Sequence, residues 1–133
     1  MSMTSFTVKS RLRNEMIDIT HEVAQAMSQA GVQSGVCYVY VPHTTAAVTI
    51  NENADPDVPR DILSALSRVF PERENYRHSE GNSDAHIKTS LVGSSVTVLI
   101  ESGRLVLGTW QSIFFCEFDG PRTRKVHCKA MRS

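Results

Sequence analysis

A chain of 133 residues suits one compact domain, and 41% hydrophobic with 21% charged residues excludes disorder as the default. Fourteen basic residues offset fourteen acidic ones, which leaves no cationic excess for neutralising a nucleic-acid backbone. No apolar run nears the roughly 20 residues that a membrane-spanning helix needs.

Residues 5–12 alternate weakly and suit a first strand. Thr20 reads as an N-cap with Glu22 in the first helical turn, and Val23, Ala26, Met27 and Ala30 share one face before Gly31. That spacing predicts a helix over 20–30. Residues 36–41 are β-branched and aromatic, the signature of a largely buried strand, and 46–50 alternate as another. Asp55 and Pro56 open a helix whose stripe is Val58, Ile62, Leu66 and Val69, stopped by Pro71. After a polar loop over 72–82, Ser83 caps a short helix to Val92 with Ile87 and Leu91 pointing inward. Residues 95–107 form a hairpin about Ser102-Gly103, and 110–118 form a strand. In the last strand, 123–131, Val126, Cys128 and Ala130 alternate with Lys125, His127 and Lys129, so one face is wet. Seven or so strands, three helices and no βαβ rhythm predict one α+β domain, a mainly antiparallel, sandwich-like sheet.

Cys37, Cys116 and Cys128 are odd in number, lack CxxC spacing and lie in strand-like runs, as small buried hydrophobes do. A disulfide framework is not expected and a reducing compartment, the cytoplasm, fits. The first sixteen residues contain no apolar signal segment.

Two loops carry more polar groups than turns require: residues 42–45 with 51–57, and residues 76–86. His43 follows a proline at a strand end, His78 lies in the second loop, and His86 falls in the first turn of a helix. There the helix dipole disfavours imidazolium and leaves the neutral ring that binds metals. Three imidazoles with an open fourth position would suit a catalytic Zn²⁺. Asp55, Glu52 and Asp84 are candidate orienters of such ligands, though helix capping and solvation account for them equally. Gln111 and Glu117 share a strand face by parity and can orient a substrate. Arg122 and Arg124 also share a face, and two guanidinium forks there can hold a phosphate.

The strings HTTAAVTINENADPDVPRDI and GNSDAHIKTSLVGSSVTVLIESGRLVLGTWQSIFFCEFDGPR, with Tyr76-x-His78 before the second, closely resemble the YjbQ family, often labelled secondary thiamine-phosphate synthase. The resemblance runs from about Ile17 to Arg124. It implies an α/β-sandwich-like fold, a homotrimer, and a polar pocket to which the HTT and DAH segments contribute, with a metal or anion bound. By position it carries the family's histidines onto His43, His78 and His86, and its acidic and amide residues onto Asn51, Glu52, Asp84, Gln111 and Glu117.

Three functional expectations follow. The first is a thiamine-phosphate synthase-like transferase, joining a pyrimidine diphosphate to a thiazole phosphate and releasing pyrophosphate. A divalent metal, Arg122, Arg124 and backbone N–H groups at the Ser83 helix start would stabilise the leaving diphosphate. Three histidines favour Zn²⁺ over the oxygen-ligated Mg²⁺ of the common synthases. The second is a metal-dependent hydrolase with Glu52 or Glu117 as general base. The third is a metal- or anion-binding accessory protein without turnover. The expected partner is a small phosphorylated molecule, with neither nucleic acid nor membrane.

Overall fold

The computed structural model describes residues 3–133. In chain order these form β1 (Thr4–Lys9), β2 (Glu15–Asp18), α1 (Thr20–Ala30), β3 (Gly35–Tyr40), β4 (Ala46–Glu52) and α2 (Asp57–Val69). Then follow α3 (Ser83–Val92), β5 (Ser95–Glu101), β6 (Arg104–Leu105), β7 (Gln111–Glu117) and β8 (Thr123–Arg132). The strands make a five-stranded sheet, β1-β8-β3-β5-β6, and a three-stranded sheet, β2-β7-β4. Every pairing is antiparallel. The α+β architecture and mainly antiparallel sandwich expected from the sequence are therefore found.

The layers follow from which side chains each strand turns inward. Val126, Cys128 and Ala130 of β8, Cys37 and Val39 of β3, and Val98 and Ile100 of β5 meet Ile113 and Phe115 of β7 between the two sheets. Helix α1 closes this core with Val23, Ala26 and Met27. The alternate residues of β7, Phe114 and Cys116, face the other way and pack with Phe118 and Ala47 against Ala85 of α3 and Leu63 and Leu66 of α2. The smaller sheet is thus covered on both faces. This explains its long apolar run, where a half-wet strand would alternate. All three cysteines are buried free thiols.

Several local expectations change. The first strand stops at Lys9 and a short β2 follows it. Ile19 occupies the N-cap position of α1, while the Thr20 N–H and hydroxyl both donate to Asp18 Oδ1, at 2.9 and 2.7 Å. Strand β3 is buried on one face only, with Tyr38 and Tyr40 facing out. Helix α2 begins at Asp57, whose N–H donates to Asp55 Oδ1, and none of its residues is buried; Val69 is exposed. Helix α3 reverses the expected face. It buries Asp84, Ala85, Lys88 and Thr89 and exposes Leu91, because Asp84 and Lys88 pair with each other and with Arg13 and Asn14 of the β1–β2 connection.

Candidate functional site

One end of the sandwich opens as a cleft of about 680 Å³. Three chain segments form it: the β3–β4 connection at His43, Thr44 and Thr45, the loop into α3 at His78, Asn82 and His86, and the β7–β8 turn at Asp119, Arg122 and Arg124. All three converge because β4, β7 and β8 begin or end at this edge, Ala46 pairing with Glu117 and Thr123 with Lys9.

Glu117 anchors the floor. It is fully buried and accepts from Arg124 Nε at 2.9 Å, from Arg124 Nη2, from Ser10 Oγ at 2.7 Å and from the Asp119 N–H at 3.0 Å. Burial would raise its pKa, but the Arg124, Ser10 and Asp119 bonds outweigh it and hold the carboxyl below its ordinary value. Arg124 Nη2 also donates to Thr45 Oγ1 at 2.9 Å, tying the larger sheet to the β3–β4 connection. Beside it Arg122 donates through Nε to the Asp119 carbonyl at 2.8 Å and through Nη2 to Asp119 Oδ2 at 3.0 Å. Asp119 receives Asn82 Nδ2 at 2.9 Å and Arg13 Nη1 at 3.2 Å as well. Its pKa is lowered, burial being overcome by Asn82 and by the Arg122 and Arg13 charges. Among the described residues neither Arg122 nor Arg124 has a partner for Nη1, so both guanidinium groups are oriented by carboxylates yet keep a donor unused.

The histidines line the same cleft, His43 beside Arg124. His43 Nε2 accepts the Lys125 N–H at 2.9 Å, which fixes its neutral ring as the Nδ1–H tautomer. Burial and the Arg124 charge lower its pKa, against the pull of Glu117, so it is neutral at pH 7. His78 and His86 meet edge to face with ring centroids 5.4 Å apart. His86 sits in the first turn of α3, its N–H on the Asn82 carbonyl. Among the described residues no three His, Cys, Asp or Glu side chains are arranged to hold a metal ion. With Nε2 of His43 engaged, the three imidazoles as they stand do not fit a three-ligand centre.

The other sequence-derived candidates lie elsewhere. Glu52 pairs with Gln111 at the far end of β4 and β7, six residues from the Ala46–Glu117 pair, or about 20 Å along the strand. Asn51 Oδ1 accepts the Glu52 N–H at the end of β4, and Gln111 Oε1 accepts the Gly108 N–H, both local bonds. Asp84 is fully buried behind the cleft, bonded to Lys88 Nζ at 3.0 Å and Arg13 Nη2 at 2.9 Å. The structure thus gathers His43, His78, His86, Arg122 and Arg124, with Glu117 beneath them, and separates Asn51, Glu52 and Gln111.

The model of UPF0047 proteins, YjbQ-like, matches residues 4–133. The chain belongs to the YjbQ/UPF0047 family. It is 54% identical to the UPF0047 protein YugU of Bacillus subtilis over 130 residues, 97% of this chain and 98% of that one. With the UPF0047 protein MJ1081 of Methanocaldococcus jannaschii it shares 53% identity, covering 93% and 90% of the two chains. A crystal structure of a YjbQ/UPF0047 protein from Clostridium acetobutylicum superposes with a TM-score of 0.95 at 55% identity, covering 96% and 99%. A YjbQ-like protein of unknown function from Sulfolobus solfataricus gives the same TM-score at 30% identity, covering 99% and 97%.

Within this YjbQ/UPF0047 fold, Thr45 and Asp119 bind the cleft's arginines and Asn82 bonds Asp119; sequence reasoning placed Thr45 and Asn82 in polar loops without giving either a role. Asp119-Gly120-Pro121 reads as a turn and Asn82 as loop polarity. The signal was indirect: Asn82 lies within the polar loop over 76–86, and Asp119 lies between Glu117 and Arg122, both already singled out.

Proposed function

We propose that the cleft binds a small phosphorylated substrate, its phosphate oxygens taking hydrogens from Arg122 and Arg124 and from the neutral His43. The observation that carries this reading is the pair of adjacent guanidinium groups, each fixed by a carboxylate with Nη1 left over. Orienting an arginine in advance removes much of the entropy cost of forming a bidentate phosphate contact. The chemistry that family resemblance attaches to such a site is the thiamine-phosphate synthase-like transfer, in which a departing pyrophosphate is stabilised by the same donors. Reduced, buried cysteines fit a cytoplasmic setting, and among the described residues no helix is long and apolar enough to cross a membrane.

Calorimetry with pyrophosphate tests the binding step. Arg122→Ala is expected to weaken affinity by about tenfold or more, as loss of a charged hydrogen bond does, with the larger effect at low salt. Unchanged affinity overturns the reading. Pyrophosphate release from mixed hydroxymethylpyrimidine diphosphate and thiazole phosphate tests the transfer itself.

A second reading rests on the His78–His86 contact, two imidazoles that can donate to one Zn²⁺ or Mg²⁺ ion. Elemental analysis after reconstitution without a histidine tag, with His86→Ala as control, decides it. Less than a tenth of an equivalent leaves the histidines as hydrogen-bond donors alone.

A further inference from the structure

The concave surface continues past the main cleft. Beyond His43 and His86 a second cavity of about 360 Å³ opens, lined by these two rings with Thr44, Thr89, Ser90 and Ser94. Apart from the shared imidazoles its wall holds no ionisable group, only hydroxyls and backbone. It is therefore unsuited to an anion and well suited to an uncharged group that exchanges hydrogen bonds.

Two buried polar atoms point to such a group. Thr89 is 7% exposed, and among the described residues its Oγ1 has no hydrogen-bond partner. A helical hydroxyl ordinarily bonds the carbonyl one turn back, as neighbouring Ser90 does with His86 at 2.9 Å. In the main cleft Asn82 is 8% exposed, and its Nδ2 donates to Asp119, which identifies Oδ1 as an acceptor. That Oδ1 is also without a partner. A fully ionised phosphate offers only acceptors and cannot satisfy it; the ligand must bring a hydrogen of its own. Buried polar groups are paired in native proteins as a rule, so two unpaired atoms, on Thr89 of α3 and on its N-cap residue Asn82, each residue lining one of the adjoining cavities, are informative.

We propose that the two cavities are one bipartite site. The anionic end of the ligand sits at Arg122 and Arg124. An uncharged end bearing ring hydroxyls or an aromatic amine reaches past His43 and His86 to Thr89, and Asn82 Oδ1 accepts a hydrogen from the same molecule. This deepens the anion-binding reading above and rests on it.

Three probes separate the two ideas by calorimetry: pyrophosphate, ribose 5-phosphate and cyclopentylmethyl phosphate, the last two sharing a phosphate and a five-membered ring but differing in hydroxyls. The wild-type protein is expected to prefer ribose 5-phosphate. Thr89→Val is expected to reduce that preference by about threefold to tenfold, the size of one neutral hydrogen bond. Thr89→Ser should retain it, and pyrophosphate affinity should be the same in all three proteins. Equal binding of the two organic phosphates by the wild type, or a Thr89→Val preference equal to the wild-type one, overturns the second subsite while the anion reading stands. Failure of pyrophosphate itself to bind removes both.

Discussion

Glu117 looks by residue type like a general base, yet its environment gives it a different task. Both carboxylate oxygens are already occupied by Arg124, Ser10 and the Asp119 N–H, so the group holds Arg124 in place rather than waiting for a proton. Its folded pKa lies below the ordinary glutamate value of 4.5, and that of Asp119 below 3.8. A depressed carboxyl contributes stability that is complete above the unfolded value and lost as pH falls through the folded one. Acid unfolding is therefore expected to begin below pH 4.5, and Glu117→Gln should flatten the pH dependence there. At neutral pH the same substitution leaves a buried guanidinium facing an amide, at a cost of about 3–5 kcal/mol in denaturant titrations. His43 offers a second check at this scale. Nitrogen-15 NMR should find its ring less than half charged at pH 6.5, where an ordinary histidine is half charged, and its neutral form protonated at Nδ1.

Helix α3 decides how the cleft is held, and it is the element whose buried face the sequence hid most completely. Hydrophobic spacing picks Ile87 and Leu91 as its inward residues, but Leu91 is 63% exposed while Lys88 is 1% exposed. Lys88 reaches Asp84 and Asn14, and Asp84 reaches Arg13, which continues to Asp119 beneath the cleft. A buried charge is affordable only when paired, and pairs between residues 71 or 106 positions apart leave no periodic trace. Lys88→Ala is expected to destabilise the protein by about 3–5 kcal/mol, measured by denaturant titration, because it strips the buried Asp84 of one of its two cations. Elements held by apolar alternation were legible: β8 shows its wet and dry faces residue by residue, and α1 its stripe. The short β2 lacks any such pattern, and α2 carries a stripe that lies only half-buried. The site divides the same way. Histidines and arginines in polar loops announced themselves, whereas Thr45 and Asn82 gain their meaning from partners 79 and 37 residues away.

At the scale of the whole molecule the larger sheet leaves its outer face uncovered. Strand β3 turns Tyr38 and Tyr40 outward beside Lys129 and His127 of β8, and one apolar row, Leu99 of β5, Val36 and Met131 of β8, crosses three strands. An exposed apolar row of this kind is suited to contact with another chain. The homotrimer that family resemblance implies would find its contact here, each copy presenting this face to a different surface of the next so that the ring closes. Tyr40 belongs both to this face and to the cleft wall, where His43 follows three residues later. Assembly and ligand binding are therefore expected to be coupled. Light scattering at micromolar concentration should give three times the chain mass, and a clean monomer mass would rule the trimer out. Tyr38→Lys with Leu99→Lys places two cations on the patch without touching the core, so circular dichroism should remain native while the mass falls to that of one chain. Pyrophosphate affinity should drop in that monomer even though neither substituted residue lines the cleft. Unchanged affinity in a verified monomer would show instead that each chain carries a complete anion site of its own.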